Sequence, residues 1–488
     1  MAIEQNQTDR AKKVLVALEP LIRELGSDEV LATTADDYKL HSMTFSVERE
    51  LHPAVVFVPT STQSLAKMVN FLYASELDFH VRGQGFKSAS SSDVLISLLK
   101  FKSFEYDPVN KLAVVGVGAT WAEVAHKMRE ADPHFVLNGA RTPSVGVGGA
   151  ILHGGYSWMA SEFGCIADPI NFLDAEVVKY DGRVVKASEE PSLLWALRGS
   201  GGGFGIMTKV FLRAHYYPTK IWTGMILVPK EELVAVAQQI AEFVSKPQHP
   251  KISVMMYSVR YQLLHTILNE HDLKAVNGDM IAIHVYDACG ERHGREAFSW
   301  ALDIPGAIDR TTVVDMKGVV DMQQNAAFLK GTMKNFRAVP MSIPDVSADH
   351  IIRALKWQEK IKSVDEAIHD RTMMIFEFFV LSPPIGGQAG LAWPRRLDDK
   401  HYLLVLTGSP ADGTAEQEQK AREVAIKTPE EIFGESNQDY TILPAGLDEL
   451  HDPKKASSMS SNAVLMISTN ISSHPCRRTA SIGTNLSN

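Results

Sequence analysis

The chain has 488 residues, of which 45 % are hydrophobic, 22 % charged and 8 % aromatic, enough apolar content for the cores of two domains and unlike a disordered or collagen-like chain. Lys plus Arg number 49 against 58 for Asp plus Glu; the formal net charge of -9 sets the surface against phosphate backbones and anionic lipid, so neither nucleic acid nor membrane is an expected partner. Three scattered cysteines, Cys165, Cys289 and Cys476, give no disulfide framework, and no basic run leads into a long apolar core near the N-terminus, so the expected compartment is the cytoplasm.

Apolar spacing predicts a helix over 11–25, ended by Gly26. HPAVVFVPTS at 52–61 reads as a buried strand, QSLAKMVNFLYASE as a helix with Leu65, Met68, Val69 and Leu72 on one face, and LDFHVRGQGF as a strand running into glycines. That order predicts a crossover unit, and KLAVVGVGATWAEVAHKMRE at 111–130 is expected to repeat it. EVVKYDGRVV predicts a hairpin turning at Asp181 and Gly182, followed by a short helix over 193–197 and a strand in MTKVFLRAHYYP. Pro218 marks a boundary. Beyond it, WTGMILVP, KISVMMYSV, MIAIHVYDAC, TMMIFEFFVL and HYLLVLTGS read as strands, while EELVAVAQQIAEFV, DHIIRALKWQEKIKSV and TAEQEQKAREVAIKT read as helices. An antiparallel sheet backed by helices on one side follows. The last 38 residues hold nine serines and little periodicity, the pattern of a weakly structured tail.

The 33 glycines are unevenly placed. RGQGFKS (Arg82–Ser88) follows an apolar strand; its backbone N–H groups are able to cradle a phosphate, or it forms an ordinary tight turn, and it lacks the spacing of a Walker loop or a dinucleotide fingerprint. GARTPSVGVGGAILHGG holds six glycines in seventeen residues, an entropic cost that a closely apposed ligand or a set of tight bends would explain. GSGGGFG at 199–205 repeats the signature, and three such elements favour a large, flat, phosphorylated cofactor.

The ordered series RGQGF, VGVGATWAEV, TPSVGVGGAILHGG, FGCIADPI, EVVKYDGRVV and LLWALRGSGGGFGI, over roughly residues 50–215, resembles the PCMH-type FAD-binding domain of the vanillyl-alcohol oxidase superfamily, in its berberine-bridge-enzyme-like branch. The resemblance implies an α+β fold: a two-lobed FAD-binding domain over 1–218 (core about 48–218), a substrate domain of antiparallel sheet backed by helices over 219–435, and a return segment and Ser-rich tail over 436–488. It further implies that Arg82, Gly83, Gln84, Gly85, Phe86, Lys87 and Ser88, with Ser144, Val145, Gly146, Gly148 and Gly149, enclose the FAD pyrophosphate, and that Thr142 and Pro143 also belong to the cofactor site. Gly154, Gly155, Tyr156, Ser161, Gly164 and Asp168 would line the ribityl and flavin side, and Gly205 and Ile206 the adenosine side. Many relatives carry a flavin-linking histidine where this chain has Phe86, and some a cysteine where it has Thr142, so FAD is expected to bind noncovalently. Cys165 lies on the wrong side of the motif and reads as a small buried hydrophobe.

On the substrate side the resemblance points to side chains projecting from the second-domain sheet: His284, Tyr286, Glu377 and Tyr402 as catalytic candidates, each also open to a packing role, with Tyr156 and Trp158 as pocket wall. Relatives end on a Tyr- and Asn-containing strand of which no convincing copy is seen here. No metal is expected: His41, His52, His80, His126, His134 and His153 lack zinc or facial-triad spacing, and HExxH and CxxC are missing; no GxSxG supports a hydrolase. The leading expectation is an FAD-dependent oxidoreductase that passes hydride from a bulky small molecule, a specialised metabolite, to the flavin and electrons on to O2. A redox-neutral cyclase or isomerase on the same scaffold, and a non-catalytic binding protein, are the alternatives.

Overall fold

Three sheets make up the architecture of this computed structural model, which describes residues 2–86, 90–264, 274, 276, 278–323, 330–378, 390–392, 400–434 and 441–442. The first contains β1 (Val30–Ala32), β2 (Val55–Phe57), β3 (Phe79–Arg82) and β4 (Val94–Ser97) in the order β1-β2-β4-β3. Both β2 and β3 run parallel to β4. The crossover between β2 and β3 is the helix Thr62–Ala74, started by a Ser61 capping box and burying Leu65, Met68, Val69 and Leu72, the face read from the sequence. The N-terminal helix, Ala2–Leu25, begins earlier than its periodicity predicts. It buries Val14, Leu18 and Leu21 and stops where Gly26 takes φ +89°.

The second sheet holds β5 (Phe104–Asp107), β6 (Leu112–Gly116), β7 (Phe135–Leu137), β8 (Phe172–Val178), β9 (Val184–Lys186) and β10 (Ile206–Tyr216). Its pairings are antiparallel, so the expected repeat of the crossover unit is corrected: β6 and β7 do not form a parallel pair. The cause is the length of β10, whose Lys209–Arg213 stretch pairs with β6 and whose last three residues pair with β7. The β8–β9 hairpin turns at Asp181 and Gly182, the latter at φ +78°. Val55 and Ile96 of the first sheet share a core with Ala113 and Val210 of the second.

After Tyr216 the chain enters the third sheet: β11 (Ile221–Pro229), β12 (Ile252–Val259), β13 (Met280–Asp287), β14 (Ile308–Val314), β15 (Met333–Ile343), β16 (Met373–Phe378), β17 (His401–Pro410) and β18 (Thr441–Ile442). The order is β14-β11-β13-β12-β16-β17-β15-β18, with antiparallel neighbours. β13 is buried at every position because both of its faces are covered. Ile281, Ile283 and Val285 pack with side chains of the helices Leu233–Ser245, Ala348–Val364 and Ala415–Phe433, while His284 and Tyr286 face the first two sheets. The lobes are joined by Lys251–Glu162 at 2.7 Å, His126–Asp321 at 2.6 Å, Arg129–Asp315 at 2.5 Å and Arg141–Glu377. Thr441 and Ile442, within the expected return segment, add an edge strand to β15; the rest of 436–488, including the Ser-rich tail and Cys476, lies outside the described residues. No described helix is long and apolar enough to cross a membrane.

Candidate active site

The three glycine-rich elements meet. Gln84, after β3, donates to the Gly118 carbonyl at 2.8 Å, and a Cβ on Gly146 would lie 2.9 Å from the Gln84 Cγ. Trp121 N–H to Val145 O and Val147 N–H to Ala119 O, at 3.1 and 3.0 Å, hold the Thr142–Gly149 stretch against the turn after β6. At the far end of the helix Val147–Leu152, the Gly201 N–H donates to the Leu152 carbonyl at 2.7 Å, bringing in the third element.

Within this junction the glycines serve two different ends. Gly155 is at φ +73°, and a Cβ there would meet Ile166 at 2.7 Å; Ile166 and Ala167 return N–H bonds to the carbonyls of Gly155 and Gly154. Gly205, beside Ile206 at the start of β10, would strike Val177. These positions serve packing. Gly149, Gly202 and Gly203 have no atom within 4 Å of a Cβ position, so their bare backbone faces open space. In the same stretch as Gly149, the Ser144 hydroxyl is buried with no partner among the described residues.

Other expected cofactor residues support the loops. Arg82 is 2 % exposed and its guanidinium turns to the His41 carbonyl and, at 3.3 Å, that of Leu40; burial lowers it to about 10. Lys330 instead reaches the first loop, its Nζ 3.0 Å from the Gln84 carbonyl, and burial with Arg82 nearby lowers it to about 8. Phe86 packs on Phe45 with ring centroids 5.2 Å apart; Lys87 and Ser88 lie outside the described residues. The Thr142 carbonyl accepts from Val145 N–H and that of Pro143 from Ala122 N–H, while Gly148 packs on Val117. Ser161 sits on the helix Ala160–Phe163, closed by Gly164 at φ +70°. The Asp168 carboxylate accepts the Cys165 N–H at 3.0 Å; Cys165 itself is wholly buried beside Ala160, Leu391 and Tyr402.

Facing the cradle, strand register assembles one transverse row on the third sheet. Met225, His284, Met255, Glu377, Tyr402 and Ser342 are successive cross-strand partners on β11, β13, β12, β16, β17 and β15, and therefore share a face. Three of the four catalytic candidates, His284, Glu377 and Tyr402, are thus brought together. Tyr286 lies one row away, wholly buried, stacked on Trp158 with its hydroxyl 2.9 Å from that of Tyr217. From the opposite wall Trp158 meets His284 at 4.8 Å and Tyr156 meets Tyr402 at 4.4 Å between ring centroids.

The residue that sequence reading passed over is Arg141, next to Thr142. Its guanidinium forms a two-pronged pair with Glu377, Nε to Oε2 at 3.1 Å and Nη2 to Oε1, with the two side chains 15 % and 1 % exposed. The available signal was the one Arg inside the glycine tract that begins at Gly139. Burial raises the Glu377 carboxyl and the Arg141 charge and hydrogen bond pull it back, leaving it above the ordinary carboxylate range. Burial, then Arg141, drives His284 down to about 3, so it is a neutral imidazole; Gln323 lies 3.3 Å from Nδ1, and Nε2 is buried without a partner among the described residues. Burial first and Glu377 second raise the Tyr402 phenol, which stays protonated. The wall therefore offers a carboxylate, a phenol and a neutral imidazole along one line.

An open, backbone-lined cradle with an orphaned hydroxyl fits a long phosphorylated ligand such as FAD. Residues 53–188 match the family described as FAD binding domain. The chain is 25 % identical over 237 residues to an uncharacterized FAD-linked oxidoreductase of Arthroderma benhamiae, covering 46 % of this chain and 47 % of the relative. It is 28 % identical over 238 residues to berberine bridge enzyme-like D-1 of Nicotiana tabacum, covering 47 % and 38 %. The chain thus spans less than half the length of the curated relatives it matches. Among solved structures, a chitooligosaccharide oxidase superposes with a TM-score of 0.75 at 17 % identity over 94 % of this chain and 97 % of that one. Residues 53–188 are an FAD binding domain, set in the fold of the vanillyl-alcohol-oxidase and berberine-bridge-enzyme-like proteins.

Proposed function

We propose that the chain is an FAD-dependent oxidoreductase acting on a bulky small molecule of specialised metabolism, with FAD held noncovalently and O2 as electron acceptor. The observation that carries this reading is the buried Glu377, ion-paired to Arg141 and lined up with Tyr402 and His284 across from the glycine cradle. Gln84, Ser144, Gly149, Gly202 and Gly203 would hold the cofactor, whose chemistry is that of a two-electron acceptor. Glu377 takes the proton that leaves a substrate hydroxyl, amine or activated C–H group. Arg141 keeps that carboxylate ionised in a dry site, because a buried carboxylate without a cation would stay neutral. Tyr402 donates a hydrogen bond to the substrate, and the His284 Nε2 offers a second polar contact. Phe86 and Thr142 present no histidine or cysteine for a flavin linkage.

Acid precipitation of the purified protein, after incubation with FAD, tests the reading. The expected result is a flavin spectrum in the supernatant and a colourless pellet. No flavin in either fraction overturns the assignment, and flavin in the pellet overturns noncovalent attachment. Substrate-dependent bleaching under anaerobic conditions separates the oxidoreductase from a redox-neutral cyclase or isomerase, which would leave the flavin oxidised.

A further inference from the structure

A second cluster of chemically active side chains lies at the end of β13, on the helix-facing side of the third sheet. Asp287 closes the strand, Cys289 follows in the turn, and His293 stands in the first turns of the helix Glu291–Ala297. Gly290 at φ +103° bends the chain so that the helix returns toward the strand end. One donor atom from each of Asp287, Cys289 and His293 lies within 4.8 Å of the others. From the loop ahead of β12, the His249 Nδ1 comes within 3.3 Å of the Cys289 Sγ.

We propose that Asp287, Cys289 and His293 hold a structural zinc ion, independent of the flavin reaction, and that His249, 3.3 Å from the Cys289 Sγ but outside the group of three donors that lie within 4.8 Å of one another, turns in as the fourth ligand. Zn–S and Zn–N bonds of about 2.0–2.3 Å imply tetrahedral edges of roughly 3.3–3.7 Å, and the Cys289–His249 separation already falls there. The Asp287 carboxylate is wholly buried and half fixed: Oδ1 accepts the Cys289 N–H at 2.7 Å, which leaves Oδ2, now 2.6 Å from the His293 Nδ1, for a metal. The His293–Asp287 contact opens by less than an ångström or so to admit the ion, and His249 gives up the Lys251 N–H that now reaches its Nδ1 at 3.2 Å. The neighbouring Lys251 ammonium does not compete, since it is held by both oxygens of Glu162 at 2.7 and 2.8 Å. One thiolate, two imidazoles and one carboxylate suit zinc, whereas magnesium and calcium require sets of oxygens.

The position also indicates what the ion does. It ties the segment entering β12, the end of β13 and the following helix at one point, beside the Lys251–Glu162 ion pair that joins the two lobes. His284 lies three residues back along β13 and on the other face, so the site acts on stability and not on the catalytic row.

The test uses the full-length protein, reduced and stripped with a chelator, then titrated with zinc chloride and assayed for bound metal after gel filtration. One equivalent of zinc, a raised Tm and a thiolate-to-metal charge-transfer band on replacement by cobalt are expected. Cys289→Ser and His293→Gln should each weaken zinc binding at least about tenfold and remove the Tm gain. Flavin content should be the same in all of them, which keeps this result separate from the assignment of the cradle. Absence of bound zinc in the reduced protein, or binding undiminished in both Cys289→Ser and His293→Gln, overturns the proposal. The first of these side chains is exposed and the second 43 % exposed, so their replacement leaves the fold in place for the measurement.

Discussion

The two walls of the candidate site are built on opposite plans. The cradle wall, from Gln84 through Gly149 to Gly203, is largely backbone brought close by missing side chains; the sheet wall, from His284 through Glu377 to Tyr402, consists of side chains aligned by strand register. A backbone wall binds whatever carries the matching phosphates and planes, and a side-chain wall selects and reacts. The contrast predicts that damage to the sheet wall removes chemistry with cofactor retained, and damage to the cradle removes cofactor.

The largest effect is expected at Glu377. Glu377→Gln keeps the shape and removes the base, so substrate turnover should fall about 10²- to 10⁴-fold while flavin content holds, read from steady-state rates against absorbance. If turnover survives, the sheet wall is not catalytic. Next is the cradle, where two glycines of one tract should separate. Gly149→Leu projects into open space, so it should cut FAD affinity by roughly 10- to 100-fold with little change in the melting temperature of the apoprotein. Gly155→Ala meets Ile166 at 2.7 Å from a positive φ and should cost about 1–3 kcal/mol of stability in chemical unfolding.

This contrast also explains what could be read without the structure. Cradle residues are named by composition, because a run such as Gly146, Gly148 and Gly149 records a backbone requirement in the residues themselves; the crossover helix with Leu65, Met68, Val69 and Leu72 was legible for a similar reason, as a local period. The row was less legible. Alternation places His284, Tyr286, Glu377 and Tyr402 on inward faces but says nothing of register, which depends on strands up to 118 residues apart in His284 and Tyr402, so Tyr286 could not be told from its neighbour. The antiparallel second sheet was hidden for the same cause, since the local order of β6, a helix and β7 looks identical whether or not a long β10 lies between them. Arg141 gains its meaning only from a partner 236 positions away.

That partner makes the pH profile informative. On the proposed function Glu377 works as the ionised form, so kcat/KM should rise with pH through a carboxyl value lying above the ordinary range. Arg141→Ala removes the charge that lowers this value and leaves the burial that raises it, so the acid limb should move to higher pH by about one unit, close to tenfold in rate at a fixed pH below it. An unmoved limb would mean that Arg141 does not set the ionisation of Glu377.

The smallest effects come from a pair of tyrosines that the sequence treats alike. Tyr402 stands in the row beside Glu377, against Tyr156, whereas the Tyr286 hydroxyl is bonded to Tyr217 in the apolar junction. Removing a hydroxyl that hydrogen-bonds a substrate costs about 1 kcal/mol of binding or transition-state energy, roughly fivefold, so Tyr402→Phe should lower kcat/KM by that factor with an unchanged unfolding midpoint. Tyr286→Phe should do the reverse, losing about 1 kcal/mol of stability because the Tyr217 hydroxyl is left without its partner, with kcat/KM preserved. If both substitutions affect only stability, the reactive row ends at Glu377 and the second phenol is packing; if both affect only turnover, the pocket reaches past Trp158 into the junction.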